Sequence, residues 1–97
     1  MQGKCEFCER DNVELTEHHL IPIQYGGRYL ETCMICIPCH KQIHALYNNM
    51  ELSYRLYTIK RLKNDYKLSR FIRWIQKQPS TAIVTVKKYR KRKNTRY

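Results

Sequence analysis

"CMICIPCHKQIH", residues 33–44, decides how the chain is read. Cys36 and Cys39 form a CxxC pair, and a histidine follows at once. His40, Ile43, His44 and Tyr47 then fall at i, i+3, i+4 and i+7, the spacing of one helix face. A knuckle that runs into a helix therefore carries two histidines on that face. A second CxxC pair, Cys5 and Cys8 in "CEFC", lies near the N-terminus. Two such pairs supply four thiolates, which suit a tetrahedral zinc ion with no open coordination position, and so a structural site. Disulfides and a redox pair are the lesser alternatives. Cys33 fits neither knuckle and is expected to be a small buried strand residue.

A staple is what a chain of this length calls for. Its 97 residues suffice for one small domain, which buries only roughly 60–65% of its unfolded surface. Residues 1–17 are polar and contain Glu6, Glu9, Glu14 and Glu17, so no secretory signal is predicted. No apolar run approaches the roughly 20 residues of a membrane span. A cytoplasmic location with reduced thiols is expected, and no membrane partner.

The net charge of +11 is unevenly spread. Residues 1–50 contain four Lys or Arg against six Asp or Glu, whereas residues 51–97 contain fifteen against two. Such a cationic half suggests a polyanionic partner, nucleic acid first, although a solubilising surface would have the same composition.

Three sections follow: residues 1–47 with every cysteine and histidine, a helical extension over 48–78, and a basic tail over 79–97. "LIPI", residues 20–23, reads as a short edge strand interrupted by Pro22. Gly26-Gly27 reads as a hairpin turn, and residues 28–35 as the returning strand. The helix is expected from His40, with Asn48-Asn49 breaking it and Asn49 capping the next. A helix over 51–63 has Leu52, Leu56 and Ile59 as its stripe. Another over 66–78 has Leu68, Phe71, Ile72 and Ile75 on one face and ends before Pro79. Phe71 and Trp74 are read as packing residues rather than base-stacking ones. "STAIVTV", residues 80–86, alternates like a strand, and the tail is read as disordered until it meets a partner.

His18 and His19 complete the histidine set in "EHHLIPIQYGG". Taken together, "EHHLIPIQYGG…CMICIPCHKQIH" resembles the HNH endonucleases of the ββα-metal class, over about residues 5–47. Two CxxC knuckles, a histidine-rich strand followed by proline, a Gly-Gly hairpin and CxxCH entering a helix with a second histidine all coincide. The resemblance implies an α+β fold: a zinc-stapled ββα-metal core, made of a β-hairpin plus a helix, with a C-terminal helical extension and basic tail. It implies that Cys5, Cys8, Cys36 and Cys39 hold structural Zn²⁺. It makes His19 the general base and places His18 and His40 on one catalytic divalent cation, with His44 as the third ligand or a phosphate contact. Glu31 stands where the family has its asparagine, and is assigned to the catalytic set on that basis.

The implied activity is hydrolysis of DNA phosphodiester bonds by nicking, with little sequence specificity. The alternative is a non-catalytic, zinc-dependent nucleic-acid-binding module. An imidazole of pKa about 6.5 suits a base at neutral pH. Three neutral histidines favour Zn²⁺, Ni²⁺, Co²⁺ or Mn²⁺ over Mg²⁺, though all five are candidates. Adjacent strand residues face opposite ways, so a distortion near Pro22 is expected to let His18 and His19 serve one site. Backbone contacts are assigned to Arg55, Lys60, Arg61, Lys63 and Arg70, and in the tail to Lys87, Lys88, Arg90, Lys91 and Arg92. The expected partner is DNA, with RNA left open. A bacterial or phage-encoded monomer or weak dimer is expected, working alone or beside other proteins of the same source.

Overall fold

The computed structural model describes residues 1–80. From residue 81 on, the alternating stretch expected at 80–86 and the basic tail expected over 79–97 lie outside the described residues. Within them the chain folds as α+β, with a three-stranded antiparallel sheet and four α-helices. β1 is Gln2–Gly3, β2 Val13–His19 and β3 Thr32–Cys36, and β2 is the central strand. α1 is Ile37–Leu46, α2 Asn49–Tyr54, α3 Ile59–Asn64 and α4 Tyr66–Ile75.

The long strand is β2, not the "LIPI" segment. Val13 and Leu15 are buried, and the ladder with β3 runs unbroken from Leu15 opposite Cys36 to His19 opposite Thr32. Strand periodicity was hidden here because Glu14 and Glu17 make the segment look polar. Pro22 cannot donate to a ladder. It instead precedes a short 3₁₀ turn over Ile23–Tyr25, closed by Gly26 at φ +91°. The Gly-Gly pair therefore sits inside a longer connection rather than a two-residue hairpin, and the returning strand starts only at Thr32.

α1 begins at Ile37, three residues before the expected start. Pro38 falls in the first turn, where its missing N–H costs nothing. Cys36, at the N-cap, ends β3 and opens α1, so strand, knuckle and helix are continuous. Asn48, not Asn49, caps α2 by accepting from the Glu51 N–H at 2.9 Å.

The single helix expected over 51–63 is two. Thr58 accepts from the Arg61 N–H at 3.0 Å and caps α3, so the chain breaks at Arg55 to Thr58. β-branched Thr58 and Ile59 are weak helix formers, whereas a threonine is a good N-cap. Asp65 caps α4 through the Leu68 N–H. Along α4 the expected stripe holds: Leu68 and Ile75 are buried, and Phe71 and Ile72 pack against the core. Trp74 departs from the packing role, being 48% exposed. No helix among the described residues is long and apolar enough to cross a membrane.

Candidate metal centres

The four knuckle cysteines converge in the core. Cys5, Cys8, Cys36 and Cys39 are all buried, and their sulfurs lie within 4.8 Å of one another. Cys8 and Cys36 are 3.8 Å apart at sulfur. That is no disulfide; it matches the edge of about 3.8 Å of a tetrahedron with Zn–S bonds of about 2.3 Å. The group can hold a metal such as zinc.

Local structure prepares these sulfurs for negative charge. Cys5 Sγ accepts from the N–H groups of Phe7, Cys8 and Cys36 at 3.3–3.4 Å. Hydrogen bonds from Cys36, Cys39 and Cys8 hold the Cys5 thiol well below its ordinary range. Hydrogen bonds to Cys36, Cys5 and Cys8, and then burial, push Cys39 far up, so the four sulfurs do not all carry charge without a cation to compensate them. Arg10, which the sequence reading missed, brings Nη2 to 3.6 Å from Cys36 Sγ and offsets part of the remaining charge. Glu6 pins the first knuckle to β3 through both its backbone and side chain on Met34.

Cys33 stands apart from the four, buried in β3 opposite His18. Burial, aided by Glu6, Cys5 and Glu31, pushes its thiol up to about 12, so it is inert at neutral pH.

The second cluster is built by β2 and α1. His18 packs its ring 5.1 Å from that of His40 and 5.3 Å from that of His44, and the last two are 5.0 Å apart. One nitrogen from each lies within 4.8 Å of the others. His18 is 1% exposed, yet neither ring nitrogen has a hydrogen-bond partner. Two orphaned nitrogens in the core are costly unless a ligand satisfies one. Burial, and then the His40, His44 and His19 rings, push His18 down to about 3, so it stays neutral and able to bind a cation.

Thr16 sets the orientation of His40. Its hydroxyl donates to the Ile35 carbonyl at 3.2 Å and lies 2.8 Å from His40 Nδ1. With its single proton used, the hydroxyl accepts from Nδ1–H, which leaves Nε2 of His40 with a free lone pair. Strand periodicity signals this residue: Thr16 lies two positions before His18, on the same face.

A cleft of about 260 Å³ opens onto the histidines. His18, His19, His40 and His44 line it, together with Glu17, Gln24 and Asn49, which no motif assigns to the site. The expected strand distortion is absent. His19 faces away from His18 in a regular ladder, and it reaches the cleft because β2 ends there and the chain turns at Pro22. Glu31 is exposed and is not among the lining residues; its carbonyl accepts from the Leu20 N–H.

The basic residues on the helices have varied surroundings. Arg55 is half-buried and already engaged, paired with Glu51 at 2.8 Å and Asp65 at 3.1 Å over the Tyr47 ring. Lys63 pairs with Glu9 at 2.8 Å. Arg61 lies over Tyr57, Arg70 lies over Tyr66, and Lys60 is exposed.

Fold and clusters together define a small α+β protein with two separate sets of side chains that could hold a metal ion, one of four cysteines and one of three histidines. YisB of Bacillus subtilis (strain 168), described as an uncharacterized protein, is 54% identical over 91 residues, covering 94% of this chain and 91% of YisB. The chain belongs to the same family as YisB. No family model and no solved structure matches it.

Proposed function

We propose that this protein is a metal-dependent DNA endonuclease of the HNH, ββα-metal type, in which β2, β3 and α1 form the core around a structural zinc ion. What supports the reading most is the buried His18, unpartnered at both nitrogens, converging with His40 and His44 on a cleft that His19 also lines.

The three histidines hold one divalent cation, and Zn²⁺, Ni²⁺, Co²⁺ or Mn²⁺ suits neutral imidazoles better than Mg²⁺. When bound, such an ion supplies Lewis acidity at a non-bridging phosphate oxygen and charge stabilisation at the leaving 3′ oxygen. His19 faces away from this set and keeps its ring free to take the proton of the attacking water. Thr16 fixes His40, while Gln24 and Asn49, joined at 3.1 Å, form the far wall. Cations on the helices and in the tail hold the backbone without reading sequence. One such site cuts one strand per event.

A second reading, a zinc-stabilised nucleic-acid-binding module without hydrolytic activity, is favoured by the exposed Glu31 standing outside the cleft. Plasmid relaxation with added Mn²⁺, Ni²⁺ or Mg²⁺ separates the two. Wild type is expected to convert supercoiled DNA to the nicked circle, and His19→Ala to lose at least about a hundredfold in rate. Equal trace relaxation by both proteins would refute the nuclease reading.

A further inference from the structure

The C-terminal half of α4 presents a second cleft, of about 480 Å³, lined by Arg70, Arg73, Trp74, Gln76 and Lys77. Three cations and no carboxylate line it. Arg70, Arg73 and Trp74 fall at i, i+3 and i+4 on one face of α4, and Lys77 follows in the turn after it, its N–H bonded to the Trp74 carbonyl at 3.2 Å. The core stripe of Leu68, Phe71, Ile72 and Ile75 has the same spacing two residues earlier, about 200° around the helix. The cationic face is thus the one turned from the core.

Trp74 is the chain's single tryptophan, and it is 48% exposed within that face. An indole is among the largest apolar surfaces a residue can bury, and leaving half of it in water forgoes that gain. Phe71 braces it, with ring centroids 5.8 Å apart. Among the described residues Arg73 and Lys77 have no carboxylate partner. Gln76 donates to the Cys8 carbonyl at 3.1 Å, and Arg10 donates to the carbonyls of Gln78 and Pro79. The cleft is therefore fixed to the cysteine knuckle rather than carried on a loose end. Seven more Lys or Arg and no acidic residue follow in the chain after residue 80.

We propose that this cleft binds an unpaired DNA segment, one base stacked on Trp74 and the flanking phosphates on Arg70, Arg73 and Lys77. A flat π-face beside cations is the arrangement that holds single strands without sequence preference. The choice of DNA over RNA rests on the nuclease reading; the stacking surface does not.

Because Trp74 is the only indole, its emission reports contact directly. Zinc-loaded full-length protein, with no second metal added, is titrated with an oligo(dT) of about twelve nucleotides. Saturable quenching is expected. Trp74→Ala, followed by anisotropy of labelled DNA, weakens binding about five- to hundredfold. Arg73→Ala with Lys77→Ala lowers the slope of log affinity against log salt by roughly 1.4, about 0.7 per phosphate contact. Both variants alter exposed side chains, and an unchanged melting temperature confirms their folding. Binding with no change in Trp74 emission overturns the proposal, as does an unaltered salt slope. A duplex that quenches equally overturns the unpaired base, and an oligo(U) that binds at least tenfold tighter overturns DNA. Quenching without plasmid relaxation leaves the cleft standing and removes the nuclease reading; relaxation without quenching does the reverse.

Discussion

Thr16 and His40 meet at 2.8 Å between hydroxyl and Nδ1, and the hydroxyl proton is already given to Ile35. The imidazole is thereby held in one tautomer and one orientation. Outer partners of this kind are worth about 10–100-fold in metal affinity. Thr16→Val keeps the shape and removes the oxygen. Calorimetric titration of Ni²⁺ into protein whose cysteine site is filled should show a loss in that range, with the zinc content of the cysteine site unchanged. Wild-type affinity in the variant would mean that Thr16 does not orient the ring.

The two clusters should answer differently to loss of a ligand. A structural zinc contributes apparent free energy of about 10–16 kcal/mol, as much as the whole stability of a domain of about 5–15 kcal/mol. Cys36→Ser or Cys39→Ser is therefore expected to abolish cooperative melting. His40→Ala, on a half-buried helix position, should fold and keep the cysteine-bound zinc while losing the second ion. Thermal melting paired with metal analysis checks this. Similar destabilisation by both kinds of change would contradict separate roles.

The cysteine and histidine sets were legible because metal chemistry restricts both residue type and spacing. Cys5, Cys8, Cys36 and Cys39 are brought together as the CxxC spacing implied, and His40 and His44 as their helical spacing implied, with His18 joining them as the family resemblance implied. Elements without such a signature were harder to place. A strand at His18-His19 is implied by the resemblance, but its extent back to Val13 is hidden because Glu14 and Glu17 face water, and a period of two over seven residues is easily masked. The break between α2 and α3 depends on Thr58 acting as a cap, a choice that tertiary packing makes. Arg55 reads as a surface cation, but Tyr47, Glu51 and Asp65, brought from three elements, claim its guanidinium. Residues lining the histidine cleft, such as Gln24 and Asn49, belong to no motif and only the fold assembles them.

Asp65 joins α1, α2 and α4: it accepts from Tyr47 Oη, Arg55 and the Leu68 N–H, with a side chain 6% exposed. Burial works against its ionisation, but the hydrogen bonds from Tyr47, Leu68 and Arg55 outweigh it and hold the carboxyl below its usual range. Its stabilising effect is therefore full above the unfolded carboxylate pKa and fades as pH falls through the lower folded value. Burial first, then the bond to Asp65, pushes Tyr47 up to about 12. That contribution is full below the unfolded phenol pKa of about 10 and is lost as pH rises toward 12. Asp65→Ala should cost about 2–4 kcal/mol, since it removes a cap, the acceptor of the Tyr47 hydroxyl and one of the two carboxylates on Arg55. Tyr47→Phe should cost about 1 kcal/mol and flatten the decline above pH 10. Urea melts across pH test both, and an alkaline limb that persists in Tyr47→Phe would assign it to another group.

Gly26 and Gly27 are adjacent but constrained differently. Gly26 sits at φ +91° with open space around it, so alanine there meets only backbone strain, about 1–2 kcal/mol. Gly27 is buried, and a Cβ on it would lie 1.5 Å from the Ile21 carbonyl oxygen, a contact that backbone must move to relieve. Its N–H also bonds the Pro22 carbonyl at 3.1 Å, which holds the segment that lines the histidine cleft. Gly27→Ala should therefore exceed about 3 kcal/mol, in the range reserved for severe packing conflicts, and should weaken metal binding at the histidines as Pro22 and Ile23 shift. Gly26→Ala should leave that binding near wild type. Denaturant midpoints and Ni²⁺ titrations of the two variants give the comparison; a smaller cost at Gly27 than at Gly26 would mean that the connection yields without disturbing the strand ends it joins.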